Sequence, residues 1–138
     1  YSGYCSDITR TVVIGRVDCW QKQLYASVLD AQLAALAAVR PGIRANEVDA
    51  VARERLRQSG HLGAFNHGLG HSLGLAIHEE PRFSPTCDVV LQPGMVMTVE
   101  PGSYYAGIGG VWIEDVVVVT ETGCRILTQT DKQLLEIG

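Results

Sequence analysis

The feature that most constrains this chain is the stretch from His61 to Gly74, where Gly63, Gly68, Gly70 and Gly74 alternate with His61, His67 and His71. Each glycine inside a helix costs about 1 kcal/mol relative to alanine, so this much glycine rules out a stable helix here. If residues 67–71 are extended instead, His67 and His71 share a face, because strand side chains repeat every two residues. The surrounding glycines let another backbone or a ligand come close. A further imidazole follows in His78-Glu79-Glu80-Pro81-Arg82. The spacing does not fit the His-Glu-x-x-His zinc helix. Three histidines, His67, His71 and His78, this close together among glycines point to a functional site, whereas His61 reads as an ordinary surface or core residue.

The flanking segments set the fold class. Ile8–Ile14 is β-branched with few breaks and ends at Gly15, which predicts a strand. Asp18 opens a helix over Trp20–Val39, with Leu24, Val28, Ala31, Ala35 and Val39 on one face, and Pro41-Gly42 stops it. Asn46 is the expected cap of a second helix through Val48, Val51, Ala52 and Leu56, ending before Gly60. With three prolines, Glu79–Pro93 reads as an exposed loop. Strands are expected at Met95–Glu100, Val111–Thr120 and Cys124–Thr128, with a turn at Thr122-Gly123. Paired helices followed by strands indicate one α+β domain with a mostly antiparallel sheet.

Composition excludes several classes. A net charge of −4 leaves no basic footprint for nucleic acid. No apolar run approaches the ~20 residues that span a bilayer. Cys5, Cys19, Cys87 and Cys124 form no Cys-x-x-Cys pair and are expected to be reduced, apolar fillers of a cytoplasmic protein. The chain begins at Tyr1 inside structured-looking sequence, which is expected of a fragment.

Acids inside apolar strands carry the chemistry. Asp7 heads the Ile8–Ile14 run, Glu100 closes Met95-Val96-Met97-Thr98-Val99, and Glu114 sits between Ile113 and Val116 with Asp115 beside it. A buried carboxylate is costly unless paired or bound to a cation. Several such acids together with imidazole and no thiolate suit Mn²⁺, Co²⁺ or Zn²⁺. Two ions sharing one water acidify it and polarise a carbonyl, so the chemistry within reach is metal-assisted hydrolysis, of an amide in the first place.

These blocks match a known family. Ser6-Asp7-Ile8-Thr9-Arg10-Thr11, His67–His71, His78-Glu79-Glu80-Pro81-Arg82, Val99-Glu100-Pro101-Gly102 and Ile113-Glu114-Asp115 resemble, in order and spacing, the pita-bread metallopeptidases. That family includes methionine aminopeptidase, aminopeptidase P, prolidase and creatinase. The resemblance runs from Tyr1 to about Gly123. It implies a curved, mostly antiparallel sheet with outer helices, incomplete at its N-terminus, residues 1–138 being the C-terminal part of the catalytic domain. It also implies two divalent ions, manganese first and cobalt or zinc next, held by Asp7, His71, Glu100 and Glu114. Glu100 would take part in proton transfer as well, and His67 and His78 would flank the substrate and stabilise the tetrahedral intermediate.

The His78–Arg82 block is most similar to Xaa-Pro dipeptidases, in which the arginine can grip the dipeptide's terminal carboxylate; the alternative for Arg82 is an ordinary loop arginine. Two departures stand out. A further metal-binding Asp of the family would fall before Tyr1, and the usual Arg two residues before the last Glu is Trp112 here. The resemblance thus implies an Xaa-Pro dipeptidase acting on small peptides, inactive as this chain alone, with a homodimer as one form of assembly. Two other readings remain: an aminopeptidase P-like or broader aminopeptidase, and a non-catalytic binding domain on the same fold.

Overall fold

The computed structural model describes residues 1–138. Strand β1 (Val12–Ile14) leads into helix α1 (Cys19–Ala38), which starts where it does because of a reciprocal cap. The Asp18 carboxylate accepts the Gln21 amide N–H at 2.7 Å, and the Gln21 side chain accepts the Asp18 N–H at 2.9 Å. Leu24, Val28, Ala31, Ala35 and Leu36 form its buried stripe. Helix α2 (Ala45–Gln58) packs against it through Ala45, Val48, Ala52 and Leu56. Its cap is not Asn46, which lies inside the first turn. Arg44 occupies the cap position, its N–H donating to the Glu47 carboxylate at 2.8 Å. Gly60 follows the helix with φ +81°, a conformation that costs glycine little.

Strands β2 (Gly70–Ser72), β3 (Glu79–Phe83), β4 (Val96–Val99), β7 (Asp115–Val119) and β8 (Cys124–Ile126) form one antiparallel sheet in the order β3-β2-β4-β7-β8. A hairpin of β5 (Gly102–Tyr105) and β6 (Gly109–Trp112) stands beside it, and β9 (Leu135–Ile137) pairs in parallel with β1. Met97, Val99, Val117 and Val119 of the sheet join Leu24, Val28, Val48 and Leu56 of the helices in a single core. Each such side chain contributes roughly 1.5–3 kcal/mol by leaving water.

Four further sequence expectations change. The strand expected over Ile8–Ile14 shortens to β1, because Thr9 turns to Glu114 instead, forming an isolated bridge. The expected Val111–Thr120 strand breaks at Ile113-Glu114, whose amides bond to Pro101 and Thr9 carbonyls rather than to one continuous partner. Part of the expected loop after His78 is β3, which tolerates Pro81 because it is the sheet's edge strand. All four cysteines are free, but Cys19 is exposed and so fills no core.

Candidate metal centre

Four of the singled-out side chains arrive at one place from four segments. Asp7 lies ahead of β1, His71 in the middle of β2, Glu100 directly after β4 and Glu114 directly before β7. Gly70 makes the approach of β2 to β4 possible, since a Cβ there would run into the Thr98 carbonyl. Donor atoms of Asp7, His71 and Glu114 all lie within 4.8 Å of one another. His71 Nε2 is 3.1 Å from Glu100 Oε1 and 3.8 Å from Asp7 Oδ2.

Hydrogen bonds orient these groups. His71 Nδ1 lies 3.0 Å from the Ser72 carbonyl, which can only accept. Nδ1 therefore carries the hydrogen and Nε2 keeps its lone pair for the centre. The Thr98 hydroxyl accepts the His71 N–H and donates to Glu100 Oε1, both at 2.9 Å. Thr9 donates to Glu114 Oε2 at 2.6 Å. The other Glu114 oxygen, Oε1, is buried without a partner. A buried, unpaired carboxylate oxygen beside an imidazole lone pair and two further carboxylates fits a divalent cation.

The electrostatics agree. Burial pushes the Glu100 carboxyl up to about 7, with Asp7 adding to the rise and hydrogen bonding from Thr98 and Trp112 opposing it. Burial likewise raises Glu114 to about 7, opposed by the Thr9 bond and reinforced by Glu100 and Asp7. Carboxylates crowded this way repel one another, and a cation among them reverses the effect.

Next to the centre is a cavity of about 410 Å³ whose wall includes His67, His78, Arg82, Glu100, Tyr104 and Trp112. The His78 ring sits edge-on to His71, centroids 4.4 Å apart. Arg82 is half exposed and pairs with Glu80 at 3.1 Å. His67 Nδ1 is 2.7 Å from the Gly68 carbonyl, so its hydrogen is there, and Nε2 accepts the Tyr104 hydroxyl at 2.9 Å. Burial lowers the His67 pKa and raises Tyr104 to about 12, keeping this pair neutral. His61 lies outside the cavity wall, its Nδ1 2.6 Å from the Tyr105 hydroxyl.

Sequence reasoning missed the groups that hold the site in place. Thr98, two residues before Glu100, shares its strand face, and that spacing was a usable signal. Arg10 gave none. Its guanidinium bonds the Glu114 carbonyl at 2.6 Å and Asp115 at 2.7 Å, and Asp115 also pairs with Lys132. Tyr104 was also missed, and so were Asp49 and Arg53, which lie on a helix far from the motifs in sequence.

The model of metallopeptidase family M24 matches residues 1–121. The chain belongs to this family. It is 48% identical over 135 residues to the Xaa-Pro dipeptidase of Pyrococcus furiosus, covering 98% of this chain and 39% of that protein. The dipeptidase structure from Pyrococcus horikoshii OT3 superposes with a TM-score of 0.97 at 47% identity, covering 99% of this chain and 38% of that one. The X-Pro aminopeptidase from Thermotoga maritima MSB8 gives 0.96 at 42%, covering 99% and 39%. The chain thus spans about two fifths of these M24 relatives. Its fold is the α+β pita-bread fold, present in part, as the resemblance implied. Membership of a metallopeptidase family implies divalent metal. No helix is long and apolar enough to cross a membrane.

Proposed function

We propose that the protein containing this chain is an Xaa-Pro dipeptidase, with Asp7, His71, Glu100 and Glu114 as metal ligands and residues 1–138 as the C-terminal part of its catalytic domain. The observation that carries this reading is that donor atoms of Asp7, His71 and Glu114 lie within 4.8 Å of one another, with Glu100 Oε1 3.1 Å from His71 Nε2 and one buried Glu114 oxygen left without a partner. Two divalent ions, manganese in the first place, would polarise the scissile carbonyl and acidify the attacking water. The resemblance implies one further Asp ligand outside this chain, without which the chain alone would be inactive.

The chain's own residues do the rest. Glu100 takes the proton of the water that attacks the carbonyl carbon and returns it to the proline nitrogen as the C–N bond breaks. His67 and His78 flank the carbonyl from the cavity wall. His67 does so as a neutral ring braced by the Tyr104 hydroxyl. Arg82 pairs with the terminal carboxylate of a dipeptide. A second reading, aminopeptidase P-like, is favoured by one observation: Arg82 is half exposed and already paired with Glu80.

Turnover of an Xaa-Pro dipeptide by the manganese-loaded full-length protein tests the reading. Hydrolysis that stops with chelator and returns with Mn²⁺ supports it. Cleavage of Xaa-Pro-Xaa tripeptides alone moves the assignment to the second reading, and no metal-dependent cleavage of either removes both.

A further inference from the structure

Helix α2 carries a buried acid that the metal centre does not use. Asp49 is 1% exposed, and its carboxylate accepts Arg53 Nε at 2.6 Å and the Leu69 backbone N–H at 3.1 Å. Arg53 in turn donates to the His67 carbonyl at 2.7 Å and lies over the Phe65 ring, 4.5 Å from its centroid. Phe65 packs edge-on against the His67 ring at 4.8 Å. One ion pair therefore holds the backbone on both sides of Gly68 and the ring beside it. Gly68 leaves no room for a side chain: a Cβ there would lie 2.8 Å from the Phe83 carbonyl.

We propose that Asp49 and Arg53 are positioning residues for His67, a buried ion pair on α2 that clamps the 67–69 backbone and fixes that ring in the cavity wall. The proposal rests on the metallopeptidase reading for its effect on turnover, not for its effect on the ring. A guanidinium is suited to this task because its planar fork bonds a carboxylate and a carbonyl at once while its face stacks on an aromatic ring. Lysine keeps the charge and loses that geometry. The pair also sets the field at the imidazole: Arg53 disfavours the charged ring and Asp49 favours it, behind the larger effect of burial. The other groups facing His67 are the Tyr104 hydroxyl and, across the cavity, His78, Arg82 and Glu100.

The test uses the full-length protein loaded with zinc, ¹⁵N-labelled at histidine, with the His67 signals assigned by their loss in His67→Gln. Arg53→Met is expected to move the His67 titration to higher pH, and the isosteric Asp49→Asn to move it to lower pH. Arg53→Lys should keep the titration near wild type. Zinc content is expected to stay unchanged while kcat/KM falls about tenfold or more in Arg53→Met, the size expected for losing hydrogen bonds to a charged group. A residue that merely stabilises the fold would not move the ring in opposite directions. Shifts of the same sign, or none, overturn the proposal, as does an unchanged kcat/KM in an active enzyme. If Arg53→Met does not fold, Asp49→Asn decides it: a His67 titration moved to lower pH with a lowered kcat/KM supports the proposal, and a shift to higher pH, or none, overturns it. If the wild type cleaves no peptide, the functional reading fails and the ring titration still decides the clamp.

Discussion

The Thr9 hydroxyl donates to Glu114 Oε2 at 2.6 Å, while the Glu114 N–H returns a 3.0 Å bond to the Thr9 carbonyl. This two-way tie fastens the segment carrying Asp7 to the strand break carrying Glu114. It leaves Glu114 Oε1 as the oxygen without a partner.

Thr9→Val keeps the shape of the side chain and removes the donor. The carboxylate then loses its orientation, and partners of metal ligands are typically worth 10–100-fold in affinity. Metal affinity of the full-length protein, measured by calorimetry with Mn²⁺, is expected to fall by about tenfold or more, with the Tm of the metal-free protein nearly unchanged. Unaltered affinity would make the tie a purely structural one.

The metal-free protein is expected to lose stability as pH rises from about 5 to 8. Glu100 and Glu114 are raised from 4.5 to about 7 by burial, so the folded state binds their protons more tightly than the unfolded state. Stability from such groups is complete below the unfolded value and is lost as pH climbs through the folded value. Tm of the metal-free full-length protein is expected to fall between pH 5 and pH 8. Thermal melts with chelator at pH 5 and pH 8 measure it, and added Mn²⁺ should abolish the difference. A Tm that is flat or rises over that range without metal contradicts the crowding of the two acids.

Much of this arrangement was legible in the sequence, and the reason is physical. Asp7, Glu100 and Glu114 stand out because a carboxylate in an apolar strand needs a partner, and His71 stands out because it lies in a glycine-rich stretch with His67 and His78 close by in sequence. The helices were legible from their periodicity and from Asp18. What sequence reasoning missed depends on long-range contacts. The β3 strand is hidden by Pro81, which an edge position tolerates. The break at Ile113-Glu114 follows from Thr9, more than a hundred residues away. Lys132 looks like a surface cation until the fold brings it to Asp115, and the role of Arg10 shows only there as well.

Arg82→Ala is expected to raise KM for an Xaa-Pro dipeptide by about tenfold, with kcat little changed. A charge-assisted hydrogen bond is worth about 1.5–3 kcal/mol, and the half-exposed position of Arg82 puts the effect at the low end. An Xaa-Pro-Xaa tripeptide places its carboxylate elsewhere and should lose less. Equal losses on both substrates would make Arg82 structural and favour the aminopeptidase P-like reading.

Glu100→Gln should lower kcat for an Xaa-Pro dipeptide by at least about 100-fold, within the range general acid–base catalysis contributes, while the protein stays folded. The amide neither takes the water's proton nor supplies charge to a cation. Turnover near wild type under saturating Mn²⁺ would remove Glu100 from the proton path.

The most direct measurement is anomalous diffraction at the manganese edge from Mn²⁺-soaked crystals of the full-length protein. The expected result is anomalous density within about 2.0–2.3 Å of His71 Nε2 and of carboxylate oxygens from Asp7, Glu100 and Glu114, with Glu114 Oε1 among the ligands. Density at another place, or none beside these four side chains while the protein is catalytically active with manganese, would contradict the assignment of the centre.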